Sequence, residues 1–112
     1  MKRRLRITKR ALNDIRQALA FTLERFGPHQ HAEYKSLIRE AINQITRDPF
    51  GFPAKPRPDL HPDAWALHLS RRGKRARHLF VYHVIDDRWV GIARMPHDAM
   101  DLTRIPDLFD PE

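Results

Sequence analysis

Two apolar stripes separated by a Gly-Pro pair dominate the first half of the 112-residue chain. In each stripe the apolar residues recur every three or four positions, which places them on one face of a helix. Gly27 suits the left-handed position after a last helical turn, and Pro28 cannot continue the helix that it follows. The pattern predicts two helices of similar length, the second over residues 29–47, folded into an antiparallel hairpin. The stripes consist of Leu12, Ile15, Leu19, Leu23 and Phe26, then Tyr34, Leu37, Ile38, Ala41, Ile42 and Ile45.

A proline-rich segment, residues 48–63, follows the predicted hairpin. Proline has no backbone N–H and fits the interior of neither a helix nor a strand, so the segment predicts an ordered loop. Its prolines are Pro49, Pro53, Pro56, Pro58 and Pro62, five of the nine in the chain.

Four short segments carry the patterns of strands. Leu5 and Ile7 alternate with polar residues ahead of Thr8, a predicted helix cap. Segments 64–70 and 88–95 read as strands, and segment 77–85 is apolar on both faces, as expected of a central strand. The order β-α-α-β-β-β predicts an α+β fold, in which the helical hairpin packs on a small, mainly antiparallel sheet. The length predicts a single domain over residues 1–112.

The chain is basic, with 21 Lys and Arg against 14 Asp and Glu and a formal net charge of +7. This balance predicts a polyanionic or acidic partner. The absence of cysteine excludes disulfides and zinc–thiolate sites and fits a reducing compartment. No apolar run is long enough to span a bilayer, so a cytoplasmic protein without a membrane partner is predicted.

Five cations and no acid crowd the seven residues that begin with Arg71 and end with Arg77. Gly73 predicts a hairpin turn at their centre, and such a turn would display the charges together. We therefore predict a partner-binding surface here, joined by residues downstream. Its members are Arg71, Arg72, Lys74, Arg75, Arg77, Arg94 and His97. A second basic group, near the N-terminus, consists of Lys2, Arg3, Arg4, Arg6, Lys9 and Arg10.

The sequence lacks a phosphate-binding glycine loop, a nucleophile elbow and a helical histidine pair, and it predicts no metal site and no cofactor. RNA cleavage through the 2′-hydroxyl remains open, because it needs only a proton acceptor, a proton donor and cations. Tyr82 is more often a core aromatic with its hydroxyl at the rim, and Arg94 can serve only in an ion pair with Asp98 or Asp101, so the residue types alone do not show catalysis. The candidates for cleavage are Arg77, Arg94, His97 and Tyr82, with Arg72 and His78 as further members.

The order of the elements, together with residues 77–101, resembles the RelE/ParE family of bacterial type II toxins. The end of the last predicted strand is more similar to the ParE branch than to the RelE branch. The residues that carry the resemblance are the run Ala11–Ile15, Pro49 and Pro53, the group Arg77, His78 and Tyr82, and the closing Arg94, His97, Met100 and Asp101.

This resemblance implies a toxin that a cognate antitoxin holds inactive, the antitoxin being ParD-like with a ribbon-helix-helix DNA-binding domain. ParE-like toxins act on DNA gyrase, and RelE-like toxins cut mRNA on the ribosome. The favoured hypothesis is a gyrase inhibitor without catalytic residues. The alternatives are a metal-independent, ribosome-dependent endoribonuclease and a basic binding module without toxic activity. The acidic tail, with Asp107, Asp110 and Glu112, suggests partial shielding of the basic surface.

Overall fold

The computed structural model describes residues 2–105, so the tail and its suggested shielding role lie outside the described residues. Within this range the predicted order of elements is confirmed, with one short strand added. The elements are β1 (Arg4–Ile7), α1 (Lys9–Arg47), β2 (Lys55–Pro56), β3 (Trp65–His68), β4 (Leu79–Val84), β5 (Trp89–Arg94) and a 3₁₀ turn (Leu102–Arg104).

Helix α1 reverses its direction at Gly27, so the predicted hairpin is confirmed. Gly27 has φ 87° and ψ 177°, whereas Pro28 already lies within the second helical arm. A straight helix of 39 residues would be about 58 Å long, but the longest dimension of the fold is 38 Å. The start and end of α1 also lie at opposite ends of β1. The Thr8 N–H donates to the Ile92 carbonyl at 3.2 Å, and the Arg3 N–H donates to the Thr46 carbonyl at 2.8 Å.

The five strands form one sheet in the order β1-β5-β4-β3-β2. Only the β1–β5 pair is parallel, and β4 is central, as predicted. The prediction of a loop without strands over residues 48–63 is wrong at β2, where Lys55 pairs with Ala66 and Pro56 with Trp65. An edge strand tolerates proline because only one of its sides is hydrogen-bonded to the sheet.

The sheet is covered on both faces. Beneath α1, Leu67, Phe80, Tyr82 and Ile92 pack with the second arm of the helix, whose predicted stripe is buried at Leu37, Ile38, Ala41 and Ile45. On the opposite face, Ala66, Leu79, Val81 and Leu102 form a smaller cluster.

The first arm of α1 departs from its predicted burial. Ala11 and Ala18 make the fully buried contacts, while Leu12, Leu23 and Phe26 lie exposed. The small side chains of Ala11 and Ala18 face the core, whereas Leu12 near the start of the arm and Leu23 and Phe26 in its distal part contact solvent. Of these three exposed side chains, Phe26 lines the site described next.

Candidate functional site

The turn that Gly73 predicts is present between β3 and β4. Arg71 and Lys74 exchange two backbone hydrogen bonds, of 3.1 Å and 2.9 Å. Arg72 has φ 51° and Gly73 has φ 75°, so both central residues are left-handed, as in a type I′ turn.

The structure separates the five cations of this turn instead of displaying them together. Arg72 pairs with Glu40 at 3.1 Å and Lys74 with Glu33 at 2.9 Å, both acids lying on the second arm of α1. The Lys74 ammonium holds the pKa of the Glu33 carboxyl below its usual value, chiefly through their hydrogen bond. Arg71 is half-buried. Arg75 and Arg77 are exposed, and within residues 2–105 neither forms a salt bridge.

Arg75 and Arg77 line a cleft of about 630 Å³ that is bordered by both arms of α1, the residues before β4 and the end of β5. The cleft also contains Phe21, Phe26 and Met100, whose side chains are 54%, 64% and 49% exposed. Apolar walls thus share one concave surface with the Arg75 and Arg77 guanidinium groups, which form no salt bridge in the part of the chain that the structure describes. Its other polar members include Tyr34, His78, Arg94 and His97.

Arg94 is held by Asp14 from the first arm of α1. Its Nε and Nη2 donate to the two carboxylate oxygens at 2.8 Å and 3.1 Å, and the Met95 N–H adds a third hydrogen bond at 3.0 Å. The sequence prediction of Asp98 or Asp101 as the partner is wrong, because the end of β5 packs against α1. Both side chains are largely buried, so the pair joins the helix to the sheet at the border of the cleft.

Tyr34 and His78 meet inside the cleft. The Arg77 N–H donates to the Tyr34 hydroxyl at 3.1 Å, and this hydroxyl lies 2.5 Å from His78 Nδ1. Burial lowers the pKa of His78, with a further contribution from His97, and burial also raises the pKa of Tyr34. Both shifts favour the neutral forms of the two groups, and the tautomer of His78 sets which of them donates in this hydrogen bond. The His78 and His97 ring centroids are 5.3 Å apart, in an edge-to-face arrangement.

Asp98 ties this histidine pair to β3. His68 Nδ1 accepts the Ser70 N–H at 3.1 Å, so its Nε2 carries the proton and donates to Asp98 at 3.0 Å. That hydrogen bond is the main cause of the lowered pKa of Asp98. The Asp98 N–H in turn donates to the Arg77 carbonyl at 2.7 Å. The segment after β5 is thereby fixed beside the start of β4.

Tyr82 lies apart from the cleft. It is fully buried, its hydroxyl donates to the Pro49 carbonyl at 2.6 Å, and burial raises its pKa. The Tyr82 hydroxyl therefore points into the core and does not line the cleft. The tyrosine in the cleft is Tyr34, a member of the predicted apolar stripe of the second helix. In the sequence, only its hydroxyl distinguishes Tyr34 from the other members of that stripe, which are all aliphatic.

Two further properties of residues 2–105 bear on function. No group of three or more His, Asp or Glu side chains in this range is arranged to hold a metal ion. None of the helical structure in the same range has both the length and the apolar character needed to cross a bilayer.

Comparison with protein families matches residues 5–102 to the ParE toxin of the type II toxin–antitoxin system parDE. A search of curated proteins finds no match. The matched region runs from β1 into the final 3₁₀ turn and contains every described residue of the cleft. The chain therefore belongs to the ParE toxin family of type II toxin–antitoxin systems.

Proposed function

We propose that this toxin inhibits DNA gyrase in the cytoplasm and that a cognate, ParD-like antitoxin with a ribbon-helix-helix DNA-binding domain neutralises it. The observation that carries the proposal is the family match over residues 5–102, because ParE-like toxins act on gyrase. In this hypothesis no residue of the chain is catalytic, and Arg75, Arg77 and the cleft around them bind protein partners.

The cleft has the chemistry that an antitoxin segment requires. Exposed Phe21 and Phe26 offer apolar area of the kind that marks interaction sites. Arg75 and Arg77 offer charge that no carboxylate within residues 2–105 neutralises through a salt bridge. A segment that alternates acidic and apolar residues would complement both features, and its charges would also accelerate association.

The positions of the nuclease candidates also favour a binding function. Tyr82 is buried against Pro49, and the guanidinium group of Arg94 is engaged by the Asp14 carboxylate. Of the four residues nominated for RNA cleavage, only Arg77 and His97 are exposed at the cleft.

The alternative function, a RelE-like ribosome-dependent mRNA endoribonuclease, is favoured by one observation. His78 and His97 lie side by side in the cleft, next to Arg77. Two imidazoles at this distance supply a proton acceptor and a proton donor, and the arginine supplies charge for the phosphate.

One pair of assays tests the proposal. The full chain is incubated with gyrase and supercoiled DNA, and trapped cleavage complexes are revealed as linear DNA after denaturation. In parallel, ribosome-bound mRNA is mapped for cuts. Trapped complexes without mRNA cuts support gyrase inhibition. Cuts that His97→Ala reduces by about 100-fold or more would establish the nuclease instead. Neither activity would leave a binding module without toxicity.

A further inference from the structure

A second cationic surface lies on the face of the sheet that α1 does not cover. The residues of β1 and β5 that face the helix are Leu5, Ile7, Val90 and Ile92. Because side chains alternate along a strand, Arg4, Arg6, Trp89 and Gly91 point to the opposite face. None of these four residues lines the cleft.

Planar side chains follow one another across this face. Arg4 is paired in register with Trp89, and the Arg4 and Arg6 guanidinium carbons lie 5.7 Å and 5.2 Å from the centroid of the indole ring. On the neighbouring strand β4, His83 is paired in register with Gly91. Its imidazole packs against this glycine, since a Cβ added at Gly91 would lie 3.1 Å from the imidazole Cε1. We call Arg4, Arg6, His83 and Trp89 the Trp89 platform.

A hollow continues from the platform around the edge of the sheet. Its volume is about 550 Å³, and it reaches from Trp89 past Lys2, Arg3 and Arg4 to the end of α1. Within residues 2–105, no carboxylate forms a salt bridge with these three cations or with Arg6.

The acids closest in sequence to Trp89 lie in the turn between β4 and β5. Asp86 directs one carboxylate oxygen into that turn, where it accepts the N–H groups of Arg88 and Trp89 at 2.7 Å and 2.8 Å. The exposed Asp87 lies in the same turn. The platform and the hollow therefore present a strip of four cations. The acidic turn lies beside Arg3, whose Nε donates to the Asp86 carbonyl at 2.9 Å, and Asp63 acts electrostatically on His83.

We infer that this strip binds single-stranded nucleic acid, a function beyond gyrase inhibition and independent of it. Arginine forks match phosphate oxygens, and four cations within five residues follow a phosphate chain along the edge of the sheet. Unpaired bases stack on tryptophan and histidine rings and on guanidinium planes, all three of which the platform provides.

The planar groups distinguish this ligand from its competitors. An acidic peptide would gain from the charge of the strip but not from stacking. A duplex keeps its bases paired and inside, so it would contact the cations and leave Trp89 unused. Stacking on Trp89 is consequently the property that separates a single strand from both.

The test uses the full chain and a fluorescently labelled DNA single strand of about twelve nucleotides, with an RNA strand and a hairpin duplex of similar length beside it. Binding is followed by anisotropy between about 50 and about 200 mM salt. We expect the double substitution Arg4→Gln with Arg6→Gln to weaken binding about tenfold or more. It should also flatten the slope of log K against log[salt] by about 1.4, because each phosphate contact contributes about 0.7 to that slope. The matched control is Lys35→Gln with Arg39→Gln, which removes two exposed cations from α1 and should leave the affinity unchanged.

Trp89 is tested by two substitutions. Trp89→Leu should weaken single-strand binding about tenfold with an unchanged salt slope, and Trp89→Phe should restore most of the affinity. Circular dichroism and thermal melting establish that the variants fold. The inference is overturned if both charge pairs weaken binding equally, if Trp89→Leu in a folded variant binds as tightly as the parent, or if the duplex binds as tightly as the single strands.

Discussion

Arg94, at the end of β5, and Asp14, on the first arm of α1, form a bidentate ion pair whose side chains are 22% and 14% exposed. The Asp14 carboxylate also accepts the Met95 N–H. One carboxylate therefore satisfies three donors from the sheet, and it does so at the border of the cleft.

Replacing Asp14 by Asn should destabilise the fold by about 3 kcal/mol, because it leaves the Arg94 guanidinium largely buried without its counter-charge. The free energy of unfolding, measured by urea denaturation, checks this value. The matched control is Glu40→Gln, which breaks the exposed pair with Arg72 and should change the same quantity by less than about 1 kcal/mol. Equal effects of the two substitutions would show that Asp14 does not have this structural role.

The sequence indicated Asp14 as part of a family motif, yet it could not indicate the partner of Asp14. Ion pairing between residues 80 positions apart depends on where the helix crosses the sheet, and no local pattern encodes that crossing. The same limit explains why the sequence pointed to Tyr82 as the tyrosine of the site, whereas Tyr34 lines the cleft. Tyr82 and Tyr34 both lie in apolar patterns, and only the assembled core decides which hydroxyl opens to the cleft.

The cations of the β3–β4 turn should differ in their importance for antitoxin binding. Arg75→Gln with Arg77→Gln removes charge that forms no salt bridge within residues 2–105, and it should weaken antitoxin binding about tenfold and reduce its salt dependence. Calorimetric titration of the full chain with the antitoxin, at low and at moderate salt, measures both quantities.

The control for this experiment lies in the same turn. Arg72→Gln with Lys74→Gln removes the same formal charge, but these cations are already paired with Glu40 and Glu33. Binding should therefore change little. If the two double variants lose the same affinity, the turn acts through its total charge, and the separation of its cations has no functional meaning.

The stability of the fold should decrease as the pH falls from about 7 to about 5, and His78 should cause part of this decrease. Burial, followed by the nearby His97, lowers the pKa of His78 in the folded state from its ordinary value of 6.5. Above that value both states are neutral and the group has no effect. Below it the unfolded chain binds the proton first, so stability is lost until the folded pKa is passed.

His78→Gln should flatten this pH dependence while keeping a side chain that can hydrogen-bond with the Tyr34 hydroxyl. The measurement is the free energy of unfolding at several pH values in that window. Some slope should remain, because burial also lowers the pKa of His83. His29→Gln serves as the control, since His29 is exposed. A slope that His78→Gln leaves unchanged would assign the effect to other groups.

Much of the fold was predictable where local rules apply. Alternation along Leu5 and Ile7, and apolar residues on both faces of β4, correctly indicated a strand with one buried face and a central strand. The β2 pairing was missed because Lys55 and Pro56 have no strand propensity of their own and are ordered by β3. The exposure of Phe26 was missed because helical periodicity identifies a face and does not show how far the sheet beneath it extends.

The hairpin itself depends on Gly27, which leads to the last prediction. Its combination of φ 87° and ψ 177° is accessible to glycine, whereas Asn tolerates positive φ only near the left-handed helical region. Gly27→Asn should therefore cost about 1 to 3 kcal/mol in the free energy of unfolding.

Gly73→Asn is the control, since the type I′ turn places that residue in the region that Asn accepts. An added Cβ would meet no atom within 4 Å at either position, so the two variants differ in backbone conformation and not in crowding. Urea denaturation of both compares them directly, and equal stabilities would contradict the assigned role of Gly27 in the reversal of α1.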